Sequence, residues 1–139
     1  MSSVAQLAVF LSYQMEDSPA REDFVREVTR REPSARFFDY PVTNSFDVHW
    51  QERCAELIRG CHGTIVLVGR TTFQSAPVTW EIAETAGHGL PVMGVRLFDE
   101  GTTQIPAGLR RAALISRLDV SSVVFRLQAW SARSGDDMS

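Results

Sequence analysis

Short apolar runs recur along the chain at intervals that suit β-strands. They are LAVFLS at 7–12, ARFFDY at 35–40, GTIVLVG at 63–69, PVMGVRLF at 91–98 and the shorter ALISRL at 113–118. GTIVLVG is a continuous, largely β-branched run without alternation, which is typical of a central parallel strand covered on both faces. The pattern therefore predicts five strands.

The segments between the first runs carry apolar residues at helical spacing. Residues 18–32 and 48–60 each present one apolar stripe, the second through Trp50, Cys54 and Leu57. Such a stripe predicts a helix that packs one side against a core and exposes the other to water. Two helices are therefore expected, one before and one after the second strand.

Two further helices are predicted in the second half of the chain. One follows the loop RTTFQSAP, in which Ser75 is a candidate N-cap and Pro77 suits the first turn, and it ends at Gly87 and Gly89. The segment DVSSVVFRLQAW also has helical spacing, although its density of β-branched residues leaves a strand open.

Strands that alternate with helices over one small domain predict a parallel sheet with helices on both faces. Right-handed crossovers favour the flavodoxin-like arrangement, a three-layer α/β fold with the strand order 2-1-3-4-5. With 139 residues and 44% hydrophobic content, the chain is the size of one domain. We expect a single domain over residues 1–133 and a disordered tail over 134–139.

The predicted strand order places a crevice between the carboxyl ends of strands 1 and 3, where the chain changes winding direction. Ser12, Tyr13 and Gln14 follow the first strand, and Arg70 follows the third. The loop 39–47 can reach the same edge, and it contains Asp39 and Asn44. Glu81 is expected near this crevice, where the aromatic rings of Tyr13 and Trp80 would give its carboxylate a partly dry setting.

Charge and composition exclude several classes of function. The net charge of -3, with both signs interspersed, argues against binding of long nucleic acids. No apolar stretch approaches the roughly 20 residues of a membrane span, and no secretory signal is evident, so we expect a cytoplasmic protein. The histidines and cysteines show no metal-ligand spacing, and no phosphate-binding glycine motif is present, so neither a metal nor a bound cofactor is expected.

The two cysteines and the charged residues of the first helix have ordinary structural interpretations. Cys54 and Cys61 lie about 10 Å apart along one helix, which is beyond disulfide reach, so both are predicted to be buried thiols. Acid and base residues at i,i+4 spacing are expected to pair on a solvated helix face. The pairs are Asp17 with Arg21, Glu22 with Arg26 and Glu27 with Arg31.

The candidate site residues also have structural interpretations. Considered alone, Glu81 is an acid near a helix start, where the helix dipole favours negative charge. Trp80 suits a core or a pocket wall as well as a stacking surface. Asp39 and Asn44 are common loop formers, and a single exposed arginine such as Arg70 is usually solvated.

Four segments, taken in order, resemble the TIR-like domains of bacteria, and in particular the TIR-like subunit of the Thoeris anti-phage system. They are FLSYQMED, FFDY, IRGCHGTIVLVGRTTFQS and TWEIAETAGHGLPVMGV, and they cover roughly residues 7–98. The resemblance implies a flavodoxin-like sheet and, as in many members, cleavage of NAD⁺ between nicotinamide and ribose. The family's catalytic glutamate matches Glu81. Its first-strand motif ends at Ser12 and Tyr13, which would line the nicotinamide-ribose side, and Pro77 stands where relatives often carry tryptophan.

The sequence therefore predicts a cytoplasmic enzyme that takes NAD⁺ as substrate and makes a cyclic ADP-ribose-type signal. The predicted catalytic residue is Glu81, and the predicted substrate-binding residues are Ser12, Tyr13, Gln14, Asp39, Asn44, Arg70 and Trp80. The signal would act on a separate effector protein in anti-phage defence, and self-association in the active state is left open. Two alternatives remain, a non-enzymatic TIR interaction module and a nucleoside deoxyribosyltransferase-like enzyme.

Overall fold

The computed structural model describes residues 6–40, 49–98 and 104–136 of the chain. Five strands lie within them: β1 (Leu7–Ser12), β2 (Ala35–Phe38), β3 (Gly63–Val68), β4 (Val92–Arg96) and β5 (Ala113–Ser116). They form one sheet in the order β2-β1-β3-β4-β5, and every neighbouring pair is parallel. The predicted flavodoxin-like α/β fold and its strand order are confirmed.

Four α-helices accompany the strands in the described residues: α1 (Ser18–Arg31), α2 (Trp50–Arg59), α3 (Ala76–Gly87) and α4 (Val120–Asp136). The segment DVSSVVFRLQAW, for which a strand was left open, is helical. α4 extends to Asp136, so residues 134–136 are helical and not disordered as predicted. In the described part of the chain, no helix is both long and apolar enough to cross a membrane.

The sheet separates two apolar layers. α1 and α4 cover one face, and the buried residues there include Val9, Leu11, Phe24, Val28, Ile65, Val123 and Leu127. α2 and α3 cover the other face, where Phe10 packs with α2 and Val66 and Val68 pack with α3. All of β3 is buried, which explains why its sequence lacks alternation.

The alternation of side chains along β1 decides which residues can reach α3. Leu11 and Tyr13 belong to the layer of α1 and α4, whereas Phe10 packs in the layer of α2. Because successive side chains of a strand point to opposite faces, Ser12 shares the face of Phe10. The last residue of β1 therefore points toward the helices that carry Cys54 and Glu81.

The start of α3 and its position on the sheet are held by buried hydroxyl groups. The side chain of Ser75 accepts a hydrogen bond from the Val78 N–H at 3.2 Å, which confirms the predicted N-cap. Farther along the helix, the hydroxyls of Thr85 and Thr64 lie 2.7 Å apart, and Thr85 also donates to the Glu81 carbonyl. These contacts fix α3 against β3 at the turn that presents Glu81.

Ion pairs line the exposed face of α1, with partners that differ in part from those predicted. The Glu27–Arg31 pair is present, with 3.7 Å between Oε1 and Nη2. Arg26, however, pairs with Asp23 at 3.2 Å and not with Glu22. Both arrangements place the charges on a solvated face, and each exposed pair contributes only a few tenths of a kcal/mol, about 0.3 to 0.5.

Candidate active site

The side chain of Glu81 is buried at the carboxyl end of the central strands, with 5% of its surface exposed. The Ser12 hydroxyl donates to Oε1 at 2.5 Å. The Cys54 thiol donates to Oε2 at 3.0 Å. Residues from β1, α2 and α3 thus meet at one carboxyl group, so Glu81 is not an ordinary solvated surface acid.

The environment of Glu81 keeps its carboxyl group near the midpoint of its titration at neutral pH. Burial raises the pKa of Glu81 to about 7 because water no longer solvates the charged form. The hydrogen bonds from Ser12 and Cys54 lower this pKa, and the nearby charge of Asp39 raises it. A carboxyl group with this pKa changes charge within the physiological range.

Cys54 is a component of the site that sequence reasoning did not assign to it. The prediction of a buried thiol is confirmed, since Cys54 is fully buried. Burial and then the charge of Glu81 raise the pKa of the thiol far above its usual value, so the group stays protonated and can donate. The sequence carried no signal for this contact, because most buried cysteines only fill space in a core.

Tyr13 and Asp39, two of the predicted binding residues, contact each other beside the crevice. The Tyr13 hydroxyl donates to Asp39 Oδ2 at 2.6 Å. Arg21 Nε donates to the same oxygen at 3.1 Å, and its guanidinium lies 5.9 Å from the centre of the Tyr13 ring. Burial and the contact with Asp39 raise the pKa of Tyr13 to about 12, so its hydroxyl stays protonated.

Arg21 was predicted to pair with Asp17, and that prediction is wrong. Asp17 is buried, with 6% exposure, and its Oδ2 has no hydrogen-bond partner among the described residues. Burial and the neighbouring Glu16 raise the pKa of Asp17. A Cβ atom at Gly69 would lie only 2.2 Å from this oxygen, so a larger residue there would displace the Asp17 carboxyl group from the end of β3.

Gln14 connects the ends of β1 and β3 across the crevice. Its Nε2 donates to the carbonyl and to the hydroxyl of Thr71, both at 3.4 Å. The Thr71 hydroxyl in turn donates to Glu16. Arg70, the neighbouring residue, is exposed and places its guanidinium 4.6 Å from the centre of the Phe98 ring. The structure therefore brings Gln14 to the predicted edge, whereas Arg70 rests on an aromatic ring beyond β4.

Trp80 lies in the apolar wall between α2 and α3. Its ring meets that of Trp50 edge to face, with 5.1 Å between centroids and an interplanar angle of 68°. Both rings pack against the cluster that contains Phe10 and Cys54. The position of Trp80 fits the prediction that it forms part of a core or a pocket wall. Trp50 belongs to the same wall, although the sequence indicated it only as part of the apolar stripe of a helix.

One predicted site residue lies outside the described part of the chain. Asn44 belongs to residues 41–48, whereas Asp39 and Tyr40 at the start of the same loop are described.

Pro77 lies in the first turn of α3, one turn before Glu81. Among the described residues, no three histidine, cysteine, aspartate or glutamate side chains converge as metal ligands would.

The fold is that of TIR domains. The TIR domain of the Toll-related receptor TRR-2 from Hydra magnipapillata matches with a TM-score of 0.61 at 16% identity, covering 90% of this chain and 97% of that one. A 3-dehydroquinate dehydratase-like protein from Bifidobacterium longum matches with a TM-score of 0.56 at 10% identity, covering 91% and 97%. At these identities the likeness concerns the fold alone.

The chain belongs to the family described as Thoeris protein ThsB, TIR-like domain, which matches residues 10–101. That span includes Glu81 together with Ser12 and Cys54, the two residues that donate hydrogen bonds to its carboxyl group. The predicted resemblance is confirmed. A comparison with curated proteins gives no match by sequence.

Proposed function

We propose that this TIR-like domain cleaves the bond between nicotinamide and ribose in NAD⁺, with Glu81 as the catalytic carboxylate. The observation that carries the proposal is the buried Glu81 carboxyl at the edge of β1 and β3, whose hydrogen-bond donors among the described residues are both uncharged. A carboxylate in such a setting interacts strongly with positive charge that develops beside it. Membership of a TIR-like family supports the same chemistry.

The reaction suits a single carboxylate. Nicotinamide attached to ribose is already a cationic leaving group, so the C1′–N bond breaks without protonation and its electron pair neutralises the nicotinamide ring. Positive charge then builds on the ribose ring. The ionised Glu81 would stabilise that charge electrostatically or bond briefly to C1′, as carboxylates do in glycoside chemistry.

The partner that captures C1′ decides the product. Attack by water, with loss of its proton, gives ADP-ribose, whereas attack by an adenine nitrogen or a hydroxyl of the same molecule gives a cyclic nucleotide. Cyclisation requires that water be kept from the ribose. We propose a cyclic ADP-ribose-type product that signals to a separate effector protein in anti-phage defence, with synthesis in the cytoplasm.

The other predicted residues have supporting parts in this proposal. Tyr13 and Asp39, linked to each other, form one side of the crevice, and Gln14 spans it toward Thr71. Trp80 contributes apolar surface that excludes water. Arg70 and Asn44 are proposed to contact the substrate, Arg70 through a phosphate charge.

The test of the proposal is a comparison of Glu81→Gln with Glu84→Gln. Purified protein is incubated with NAD⁺ at low and at crowded high concentration, and nicotinamide and nucleotide products are followed by chromatography and mass spectrometry. We expect nicotinamide release to fall by at least about 100-fold in Glu81→Gln, because removal of a preorganised charge commonly costs that much. Glu84 is half-buried on the same helix and pairs with His88, so its variant should keep its activity.

The product masses distinguish hydrolysis from cyclisation, and the substrate range tests for a deoxyribosyltransferase-like activity. A mass equal to ADP-ribose indicates hydrolysis, and a mass lower by one water indicates cyclisation. Deoxynucleosides are offered in parallel, because turnover of these and not of NAD⁺ would favour a deoxyribosyltransferase-like enzyme. Equal activity of wild type and Glu81→Gln would overturn the assignment of Glu81.

One observation favours the alternative of a non-enzymatic module that acts by self-association. Leu118, in the turn before α4, and Phe125, on α4, are 76% and 73% exposed. Large apolar side chains that face water suit contact with another protein surface. Absence of turnover at both protein concentrations, with Glu81→Gln indistinguishable from wild type, would favour this module.

A further inference from the structure

We propose that Cys54 is a positioning residue for Glu81, whose thiol holds the carboxylate in one orientation and supplies one of the two hydrogen bonds that favour its ionised form. The proposal rests on the catalytic assignment of Glu81 and goes beyond it by giving a task to a residue on another helix. Cys54 would not contact the reacting atoms, and it would act only through Glu81.

The geometry gives each carboxylate oxygen its own donor. Ser12 from β1 binds Oε1, and Cys54 from α2 binds Oε2 at 3.0 Å. The surroundings on the α2 side are apolar, with Phe10 and Trp80 in the same cluster. Without the thiol, Oε2 would face that cluster unpaired, and an unpaired buried polar atom is costly.

Among the described residues, the charged group that shifts the pKa of Glu81 opposes its ionisation. Asp39, at the end of β2, is an acid whose charge raises the pKa of Glu81, although Arg21 and Tyr13 bind it. Glu84, on α3 itself, adds negative charge near Cys54. Of the described residues of β1 and α2, the neutral donors Ser12 and Cys54 bind the carboxyl group. These two hydrogen bonds therefore favour the charge that the reaction needs.

The chain contains a matched control in its second buried thiol. Cys61 is 7% exposed and lies in the same apolar cluster as Cys54. Burial alone raises the pKa of Cys61 to about 12, without a contribution from Glu81. Cys61→Ala therefore removes a buried sulfur without removing a hydrogen bond to the carboxylate, which separates a packing effect from a donor effect.

The experiment titrates the Glu81 carboxyl by carbon-13 NMR in the free protein, with Glu81→Gln used to assign the signal. We expect Cys54→Ala to raise the midpoint by about one pH unit, because the lost hydrogen bond favours the charged form of the carboxyl group. Cys54→Ser keeps a donor and should leave the midpoint at or below the wild-type value. Cys61→Ala should leave it unchanged.

Activity gives a second readout of the same variants. If Glu81 acts as proposed, kcat/KM of Cys54→Ala at neutral pH falls about fivefold and recovers at higher pH, because a shift of the midpoint from about 7 to about 8 lowers the ionised fraction by that factor. An unchanged midpoint in Cys54→Ala, or an equal shift in Cys61→Ala, would overturn the role of Cys54.

Two precautions keep the test decisive. If Cys54→Ala does not fold, as shown by circular dichroism, Cys54→Val replaces it, since valine fills the site without a donor. If no variant and no wild-type protein releases nicotinamide, the proposed function fails, whereas the carboxyl titration still decides whether Cys54 controls Glu81.

Discussion

At the scale of single residues, the central feature is one carboxyl group with two uncharged donors in a buried site. The hydroxyl of Ser12 and the thiol of Cys54 come from different elements and bind different oxygens. Because no basic side chain of the described residues is among the groups that shift its pKa, Glu81 has a pKa of about 7. A residue of this kind changes charge where the cell operates.

The activity should follow the ionisation of Glu81. The reaction needs the carboxylate, so we expect kcat/KM for NAD⁺ to rise as pH increases through about 7 and then to level. Rates are measured from pH 5.5 to 8.5 at constant ionic strength and at substrate concentrations below KM. A profile that falls over this range would show that a protonated group, and not the Glu81 carboxylate, performs the chemistry.

At the scale of elements, the position of α3 on β3 determines where Glu81 lies. Thr64 and Thr85 are fully buried, and their hydroxyls bond to each other across the helix and the strand. Thr85 also donates to the carbonyl of Glu81 one turn earlier. The helix is thereby joined to the sheet by a polar contact inside an otherwise apolar layer.

Replacement of one member of this pair should destabilise the protein more than replacement of both. Thr85→Val leaves the Thr64 hydroxyl buried without its partner, which should lower the free energy of unfolding by about 1 to 3 kcal/mol. The double variant Thr64→Val with Thr85→Val should recover part of that loss, because neither hydroxyl is then stranded. Urea unfolding of the three proteins measures the coupling, and strictly additive losses would contradict the contact.

The predictions for individual elements succeeded where a local rule applies. The strands, the four helices and the Ser75 N-cap follow from periodicity and capping, which depend on residues close in sequence. The predicted pairing of Asp17 with Arg21 was wrong because each side chain contacts a residue that is distant in sequence. Asp17 packs on Gly69, and Arg21 reaches Asp39.

At the scale of the whole molecule, two buried acids make stability depend on pH. Burial raises the folded-state pKa of Glu81 and of Asp17 above their usual values, so the folded protein binds more protons than the unfolded chain. The free energy of unfolding therefore falls as pH rises above the unfolded pKa of each acid. For Glu81 the loss continues to about pH 7, where its folded-state pKa lies.

Neutral replacements should remove this dependence. Relative to wild type, Glu81→Gln should gain stability between pH 4.5 and about 7. The gain is on the order of 3 kcal/mol at its upper limit. Asp17→Asn should likewise be more stable than wild type at pH values above the pKa of Asp17 in the unfolded chain. Thermal melting from pH 4 to 8 measures both, and a gain that shrinks as pH rises would contradict the raised pKa values.

The sequence by itself determined the elements, the order of the strands and the neighbourhood of the site. The spacing of hydrophobic residues specifies the strands and helices, and the right-handedness of crossover connections leaves few ways to arrange them. The carboxyl ends of β1 and β3 therefore had to meet, and Ser12 and Glu81 could be placed near each other before any coordinates were known.

Only the tertiary structure decided which groups bind the Glu81 carboxyl and which do not. Ser12 and Cys54 lie 69 and 27 positions before Glu81 in the sequence. Their contacts with Glu81 depend on the packing of α2 and α3 against β1. Other tertiary contacts bury Asp17 and place Arg70 on Phe98. Such contacts have no periodic signature, because they arise from the positions of whole elements relative to one another and not from the order of neighbouring residues.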